Sequence, residues 1–203
     1  MHPVFNNQKR KVAFGFDVST TCIGWSMMRC DADPRSYPLA KGHIDLRDIK
    51  GFWKKVAFVE KAIKELLELH QAFNVVDKLF LEEPLKKFAR GKSSAATLTL
   101  LARFNSTVSY ILLQLTGVEP LYIDATEARR KIGVPLISTK KASGKNQKVQ
   151  TFEFLSKTVF KGEMWPTYHH RRKNVYTVKF FVYDEVDSYV ILSAGLMGLG
   201  NSA

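Results

Sequence analysis

Residues 14–28 read FGFDVSTTCIGWSMM, two apolar runs joined by a short turn rich in hydroxyl side chains. Both runs are rich in β-forming residues, so segments 11–18 and 22–30 are predicted to be paired strands. A lone carboxylate, Asp17, lies at the end of the first strand, where the pattern predicts burial. Taken alone, Asp17 is typical of a turn residue. The alternative is that it faces a cavity in which its charge has a use.

The rest of the chain continues with strands and then alternates strands with helices. Apolar spacing and turn residues predict three more strands, over 39–46, 75–83 and 119–126. Helices are predicted over 52–72, 93–116, 126–133, 145–160 and 184–199.

This order of elements indicates an α/β protein. The first three strands form an antiparallel meander, and the later strands, separated by helices, run parallel, which gives a mixed five-stranded sheet flanked by helices. No linker divides the chain, so residues 1–203 are predicted to form a single domain. An irregular, basic and aromatic insertion at about 161–182 has room for a hairpin.

The bulk composition is that of an ordinary globular protein, with 45% apolar and 25% charged residues. No run of 18 apolar residues exists, so we expect no membrane span. The first residues lack an apolar signal core, and Cys22 and Cys30 have neither metal-site nor disulfide-framework spacing. We therefore expect a cytoplasmic, reducing location.

The net charge is the informative bulk property. Thirty-one Lys and Arg residues against 19 Asp and Glu give +12, which favours a polyanionic partner such as nucleic acid. Solvated loops would explain any one basic cluster, but several clusters together favour a phosphate-binding surface. The clusters lie at 86–92, 129–131, 140–148 and 169–173.

Carboxylates occur at three places where the pattern predicts burial: Asp17, the pair Glu82 and Glu83, and the pair Asp184 and Asp187. Each has an ordinary explanation, as a turn, a loop before proline or a helix first turn. If the first and fourth strands are neighbours, however, these acids approach one another. Crowded carboxylates repel unless a cation neutralises them, and ligand sets made only of oxygen select Mg²⁺ or Mn²⁺. Such a site suggests two-metal phosphodiester hydrolysis.

Three segments together resemble the acidic motifs of RuvC-type Holliday junction resolvases, in the RNase H-like superfamily. They are FGFDVSTTCIGWSMM, LFLEEPL and YDEVDSYVILSA. In that family the first strand ends in a catalytic Asp, the fourth in a catalytic Glu, and the last helix begins Asp-x-x-Asp. The resemblance assigns these positions to Asp17, Glu82, Asp184 and Asp187, as catalytic residues and ligands of two Mg²⁺ ions, with Mn²⁺ able to substitute. Glu83 remains an alternative to Glu82, since a slip of one residue exchanges the faces of a strand.

The resemblance also implies a role for the basic residues and a partner. Lys145 or Lys148 is the candidate cation at the scissile phosphate. A homodimer through the 93–116 helix would present two sites to a four-way DNA junction. The expected DNA contacts are Lys86, Lys87, Phe88, Arg90, Lys92, Arg129, Arg130, Lys140 and Lys141, and either Leu85 or Phe88 would serve at the junction centre.

The resemblance thus implies a Mg²⁺-dependent, structure-selective endonuclease that resolves four-way DNA junctions in a bacterial or phage-infected cell. Three alternatives remain. The first is an RNase H-like nuclease acting on flaps, forks or RNA–DNA hybrids. The second is a junction-binding protein without catalysis. The third is a sugar-kinase-like ATPase, which would need a duplicated fold and a second glycine-rich phosphate loop, and the sequence has neither.

Overall fold

The computed structural model describes residues 11–84, 95–138, 144–170 and 175–198. The strands are β1 Val12–Val18, β2 Cys22–Arg29, β3 Ala40–Asp45, β4 Val76–Glu82, β5 Pro120–Ile123, β6 Thr167–His170 and β7 Val175–Val178. The helices are α1 Phe52–Leu69, α2 Ala95–Thr116, α3 Ala125–Lys131, α4 Gln147–Lys157 and α5 Phe181–Leu196. In the described part of the chain, none of the helices is both long enough and apolar enough to cross a membrane.

Strands β1 to β5 form one mixed sheet in the order β3-β2-β1-β4-β5. The β1–β2 and β2–β3 pairs are antiparallel, whereas β4 runs parallel to both β1 and β5. The predicted α/β class is therefore confirmed, together with the meander and the parallel strands. Because β1 and β4 are parallel neighbours, their carboxyl ends meet at the same edge of the sheet.

The two faces of the sheet carry separate apolar cores. Val12, Phe14, Phe16 and Val18 point to the face covered by α1 and α2. The alternate residues of β1 point to the other face, which α3, α4 and α5 cover. Asp17 belongs to this second set, so it lies on the α5 side of the sheet although it is flanked by core residues.

Helix α5 lies directly against the strands because glycines remove the side chains that would separate them. A Cβ atom on Gly24 would lie 2.0 Å from the Asp184 carbonyl oxygen, and one on Gly15 would lie 2.5 Å from that of Ser188. A Cβ on Gly195 would lie 2.4 Å from the Phe80 ring. This close approach brings the first turns of α5 to the edge of the sheet where β1 and β4 end.

The helix ends differ from the predictions by a few residues. Helix α5 begins at Phe181, three residues before the predicted start, because Val182 is fully buried and the Phe181 ring stacks on His43 at 3.8 Å. Helix α1 ends at Leu69 instead of 72, before Gln71 takes a left-handed conformation with φ of 50°. The sequence predicts a helix over 145–160, and α4 occupies its central part.

The predicted insertion contains a hairpin, β6–β7, paired from Thr167↔Val178 to His170↔Val175. Its base is attached to the main sheet through Glu163, whose carboxylate lies 2.6 Å from Lys41 Nζ and accepts a 3.0 Å hydrogen bond from the Tyr37 hydroxyl. The Lys41 ammonium also lies 4.3 Å from the centre of the Trp165 ring. The hairpin leads directly into α5, so these contacts help to fix the start of that helix.

We predict that Gly24→Ala destabilises the protein more than Gly42→Ala. The methyl group of an alanine at position 24 would collide with the backbone of α5. At position 42 the methyl group would lie 2.8 Å from the edge of the Trp25 ring, and that side chain can move. Overpacking of this kind costs about 1–3 kcal/mol. Urea denaturation of the two variants measures the difference, and equal midpoints would contradict direct packing of α5 on β2.

Candidate active site

Four carboxylates meet at the edge of the sheet where β1 and β4 end. Asp17 is the penultimate residue of β1, and Glu82 ends β4 one step beyond the Phe16↔Leu81 pair. Asp184 and Asp187 lie in the first two turns of α5, three residues apart and on one side of that helix. Asp17 and Asp187 are buried, and the other two are partly buried.

The choice between Glu82 and Glu83 follows from the alternation of β4. Leu79 and Leu81 point into the α1–α2 core and Phe80 into the opposite one, so Glu82 lies on the same side as Asp17. Both glutamates line a cleft of about 130 Å³, together with Asp17, Ser19, Asn105, Lys148 and neighbouring apolar residues. The structure therefore brings Glu82, and not Glu83, to the Asp17 carboxylate.

The ammonium group of Lys148 lies between three of the carboxylates. Its Nζ is 2.9 Å from Asp17 Oδ2, 2.7 Å from Asp184 Oδ1 and 3.2 Å from Asp187 Oδ2. Lys148 is the second residue of α4, whose start is fixed by the Asn146 side chain accepting a 3.0 Å hydrogen bond from Val149 N. Burial alone would lower the pKa of Lys148, but the three surrounding carboxylates outweigh it and raise the pKa.

The pKa values of the neighbouring acids Asp17 and Glu82 are shifted in opposite directions. Burial, followed by the charge of Asp17 and a hydrogen bond to it, holds the pKa of Glu82 well above its usual range. For Asp17, burial raises the pKa, but the Lys148 charge and the Glu82 hydrogen bond outweigh it and the net shift is downward. Two neighbouring carboxyl groups cannot both ionise easily, so of the two Glu82 binds a proton more readily than Asp17.

Burial and the nearby charge of Asp17 raise the pKa of Asp184, although Lys148 and a hydrogen bond from the Cys22 thiol act in the opposite direction. Cys22 is fully buried, and burial together with Asp184 raises the pKa of its thiol. The thiol therefore stays protonated and serves as a hydrogen-bond donor to Asp184. Its position at the start of β2, opposite the end of β1, places it under the cluster.

Arg129 is positioned beneath the cluster and not on the surface. Its guanidinium donates a 2.7 Å hydrogen bond to Asp187 Oδ1, and the side chains are only 6% and 2% exposed. Burial would lower the pKa of Arg129, but Asp187 and Glu82 outweigh it and raise the pKa. The expectation that Arg129 contacts DNA is therefore corrected, because a buried guanidinium paired with Asp187 cannot reach a phosphate.

The other predicted basic residues fall into two groups. Lys145 is exposed and pairs with Glu153 at 2.6 Å, so of the two candidate lysines only Lys148 reaches the cluster. Arg130 is exposed and available to a ligand. The remaining predicted DNA contacts and both candidates for the junction centre lie outside the described residues: Leu85, Lys86, Lys87, Phe88, Arg90, Lys92, Lys140 and Lys141.

Two buried residues near the cluster were not predicted from the sequence. Asn105, in α2, donates a 3.3 Å hydrogen bond to the Glu82 carbonyl oxygen, and its Oδ1 has no hydrogen-bond partner. Its spacing from Leu101, Val108 and Leu112 puts it on the apolar side of the helix, and a polar residue there was a usable signal. Nothing in the spacing of Cys22 indicates its contact with Asp184.

The donor set is suited to a hard divalent cation. All its ligand atoms are oxygens, and Asp187 Oδ2 is buried and accepts no hydrogen bond. The Lys148 ammonium already shows that a cation is stable between the carboxylates. In the described part of the chain, no three His, Cys, Asp or Glu side chains stand ready-made as a metal-binding group. The acids would therefore have to rearrange around an ion, with Lys148 displaced.

Comparison by sequence finds no matching protein-family model and no matching curated protein. Comparison by structure finds Thermus thermophilus RuvC, 12% identical, covering 90% of this chain and 92% of that one with a TM-score of 0.55. The structure of T. thermophilus RuvC in complex with a Holliday junction substrate is 14% identical and covers 93% of this chain and 96% of that one, with a TM-score of 0.56. Ydc2, the yeast mitochondrial Holliday junction resolvase, is 14% identical and covers 91% of this chain and 77% of that one, with a TM-score of 0.51.

These similarities establish the fold, which is that of RuvC-type Holliday junction resolvases. The resemblance inferred from the three acidic motifs is confirmed at this level. At 12–14% identity, the likeness does not extend to the reaction or to the roles of individual residues. Those must come from the site itself.

We predict that Arg129→Gln destabilises the protein by about 3–5 kcal/mol, the usual cost of removing one partner of a buried ion pair, because Lys148 alone then faces the Asp187 carboxylate. Arg130→Gln, the same change at the exposed neighbour, should have little effect. In a double-mutant cycle, adding Asp187→Asn should recover much of the loss, because the carboxylate charge that Arg129 balances is then removed. Urea denaturation provides the measurement, and equal stability of the two single variants would contradict the role given to Arg129.

Proposed function

We propose that this chain is a divalent-metal-dependent endonuclease that resolves four-way DNA junctions. The observation that carries the proposal is the meeting of Asp17, Glu82, Asp184 and Asp187 at one edge of a RuvC-type fold. The net charge of +12 supports a nucleic-acid substrate. A related fold has been solved with a Holliday junction substrate, which makes branched DNA the first ligand to test.

In this proposal the four carboxylates hold two Mg²⁺ ions, or Mn²⁺ in their place. When bound, such ions activate the attacking water and stabilise the leaving 3′-oxygen. Arg129 holds Asp187 through Oδ1 and leaves Oδ2 directed at the cation position. A bound divalent cation would favour the ionised form of Glu82 and so oppose the upward shift of its pKa.

Lys148 is the residue proposed to contact the scissile phosphate. Its side chain is 41% exposed, so its ammonium can leave the carboxylates and reach a ligand in the cleft without a change in the sheet. There it would stabilise the negative charge that develops on the phosphate in the transition state. Arg130, Lys145 and the basic residues outside the described ranges would bind phosphates farther along the DNA.

A homodimer completes the proposal, because a four-way junction needs two cuts related by its approximate two-fold symmetry. Helix α2 is the proposed contact, through its C-terminal half, where Tyr110 is 61% exposed. We place the activity in the cytoplasm of a bacterial or phage-infected cell, where such junctions arise during recombination.

We predict that Asp17→Asn reduces cleavage of a labelled four-way junction by more than about 100-fold in Mg²⁺, because it removes a ligand charge at the centre of the cluster. Junction binding in EDTA should be retained. Asp77→Asn is the control, since Asp77 lies near the opposite end of β4 and pairs with Lys11. Cleavage by the Asp17 variant at the rate of the control would refute the assignment of the site.

The choice of substrate needs a separate comparison of a four-way junction, a flap, a plain duplex and an RNA–DNA hybrid, each with Mg²⁺ or EDTA. Preferential cutting of the junction supports the proposal. Equal cutting of all four would refute junction selectivity and favour a broader RNase H-like nuclease. Selective binding of the junction without cutting of any substrate would favour a non-catalytic junction-binding protein.

We predict that Mg²⁺ raises the Tm of the protein and raises it further in Lys148→Met, because a divalent ion and the ammonium compete for the same carboxylates. Lys145→Met, which alters only the exposed pair with Glu153, should respond like the unmodified protein. Thermal unfolding at increasing Mg²⁺ concentration measures the effect. If neither Mg²⁺ nor Mn²⁺ shifts the Tm, the acids do not form a metal site.

A further inference from the structure

The start of α1 presents an exposed tryptophan on a rigid support. Trp53, the second residue of the helix, is 67% exposed. Its ring makes an edge-to-face contact with Phe52, with 5.1 Å between the centroids, and the Phe52 ring packs at 6.0 Å on Phe104, which is fully buried. The indole is therefore held through two other rings to the core, while most of its own surface faces solvent.

A cation completes this group, since the guanidinium of Arg103 lies 4.3 Å from the centre of the Phe52 ring and 5.3 Å from that of Trp53. Arg103 belongs to α2 and is itself exposed. An exposed indole can stack on the flat face of an aromatic ligand, and a guanidinium beside it can bind the negative charge of that ligand. Neither residue has a part in the chemistry proposed for the carboxylates.

The position of Trp53 follows from the topology. Strand β3 is antiparallel to β2 and so runs in the direction of β1, which means that α1 begins at the edge where β1 ends. Lys55, two residues after Trp53, donates a hydrogen bond to the Thr20 carbonyl oxygen, in the turn that follows Asp17. Helix α2, which carries Arg103, contributes Asn105 to the lining of the acidic cleft. Trp53, with Arg103 beside its ring, therefore lies toward the same edge of the sheet as the cleft, on the α1–α2 side.

The charges around Trp53 favour a polyanion over a second copy of this chain. Lys50 and Lys54 are exposed beside it, together with Arg103, whereas the nearest exposed acids in sequence are Asp48 and Glu60. A symmetric contact centred on Trp53 would bring these cations against their own copies, where they would repel. A DNA strand would instead place phosphates beside the cations and a base against the indole.

We propose that Trp53 and Arg103 form a stacking site for an unpaired nucleobase of branched DNA, beside the acidic cleft. The inference rests on the proposed function and adds to it a reason for selecting branched DNA. Bases in a continuous duplex are stacked on both faces, whereas a branch point offers bases that can leave the stack. Stacking on an aromatic ring tolerates any base, so the site would read the branch and not the sequence.

The test compares Trp53→Ala, Trp53→Phe and Phe58→Ala, with EDTA present so that no cleavage occurs. Phe58 is the matched control because it lies on α1 and is 43% exposed, but on the side away from Arg103. The ligands are a four-way junction and a single-stranded oligonucleotide. Each carries the fluorescent base 2-aminopurine, placed at the branch point in the junction.

Trp53→Ala should weaken binding of the junction by about 5- to 150-fold, the range measured for the loss of one base-stacking contact. The slope of affinity against salt should not change, because no phosphate contact is lost. Quenching of 2-aminopurine should disappear in Trp53→Ala but persist in Trp53→Phe and Phe58→Ala. The Tm should also be unchanged, since the side chain is mostly exposed.

Unchanged affinity and unchanged quenching in Trp53→Ala would overturn the inference. A shift of Trp53→Ala from dimer to monomer in sedimentation would also overturn it, because the indole would then bind a second copy. The proposed function fails separately, if the unmodified protein shows no preference for the junction over a duplex. In that case, Trp53-dependent quenching with the single strand would still support the stacking site.

Discussion

The site depends on how the negative charge of several buried carboxylates is balanced. Two cations do this from opposite sides, Arg129 from beneath and Lys148 from the cleft. A third contribution comes from the raised pKa of Glu82, which favours the neutral form of that carboxyl group beside Asp17. Without these three contributions, the approach of β1, β4 and α5 would be opposed by repulsion at the point where they meet.

That approach also requires the absence of side chains at particular positions. Gly24 and Gly15 let the backbone of α5 lie on β2 and β1, and Gly195 makes room for the Phe80 ring. A larger residue at Gly24 would push away the turn that carries Asp184. These three glycines take no part in the chemistry, but the carboxylates reach their positions only because the glycines let α5 lie close to the sheet.

Much of the fold followed from local pattern, because β-forming runs and helical spacing act over short distances. The four acids were also predictable, since charge inside an apolar pattern needs a partner. What could not be predicted was which cation serves as that partner. Lys145 and Lys148 are three residues apart in sequence, but Lys145 lies before α4, whereas Lys148 lies in its first turn and reaches the cluster. Arg129 precedes two exposed basic residues, Arg130 and Lys131, and its own burial depends on how α3 packs against α5.

The two cations differ in a way that bears on how the site can work. Arg129 is buried and bonded to Asp187, so removing it would break a buried ion pair and leave only Lys148 facing that carboxylate. Lys148 is half exposed and belongs to α4, outside the sheet, so its ammonium can leave the carboxylates while the strands stay in place. In the proposed reaction, Arg129 would be a permanent counter-charge and Lys148 an exchangeable one. A divalent cation could then replace the ammonium at a position that already stabilises positive charge, and Lys148 would be released beside the bound substrate.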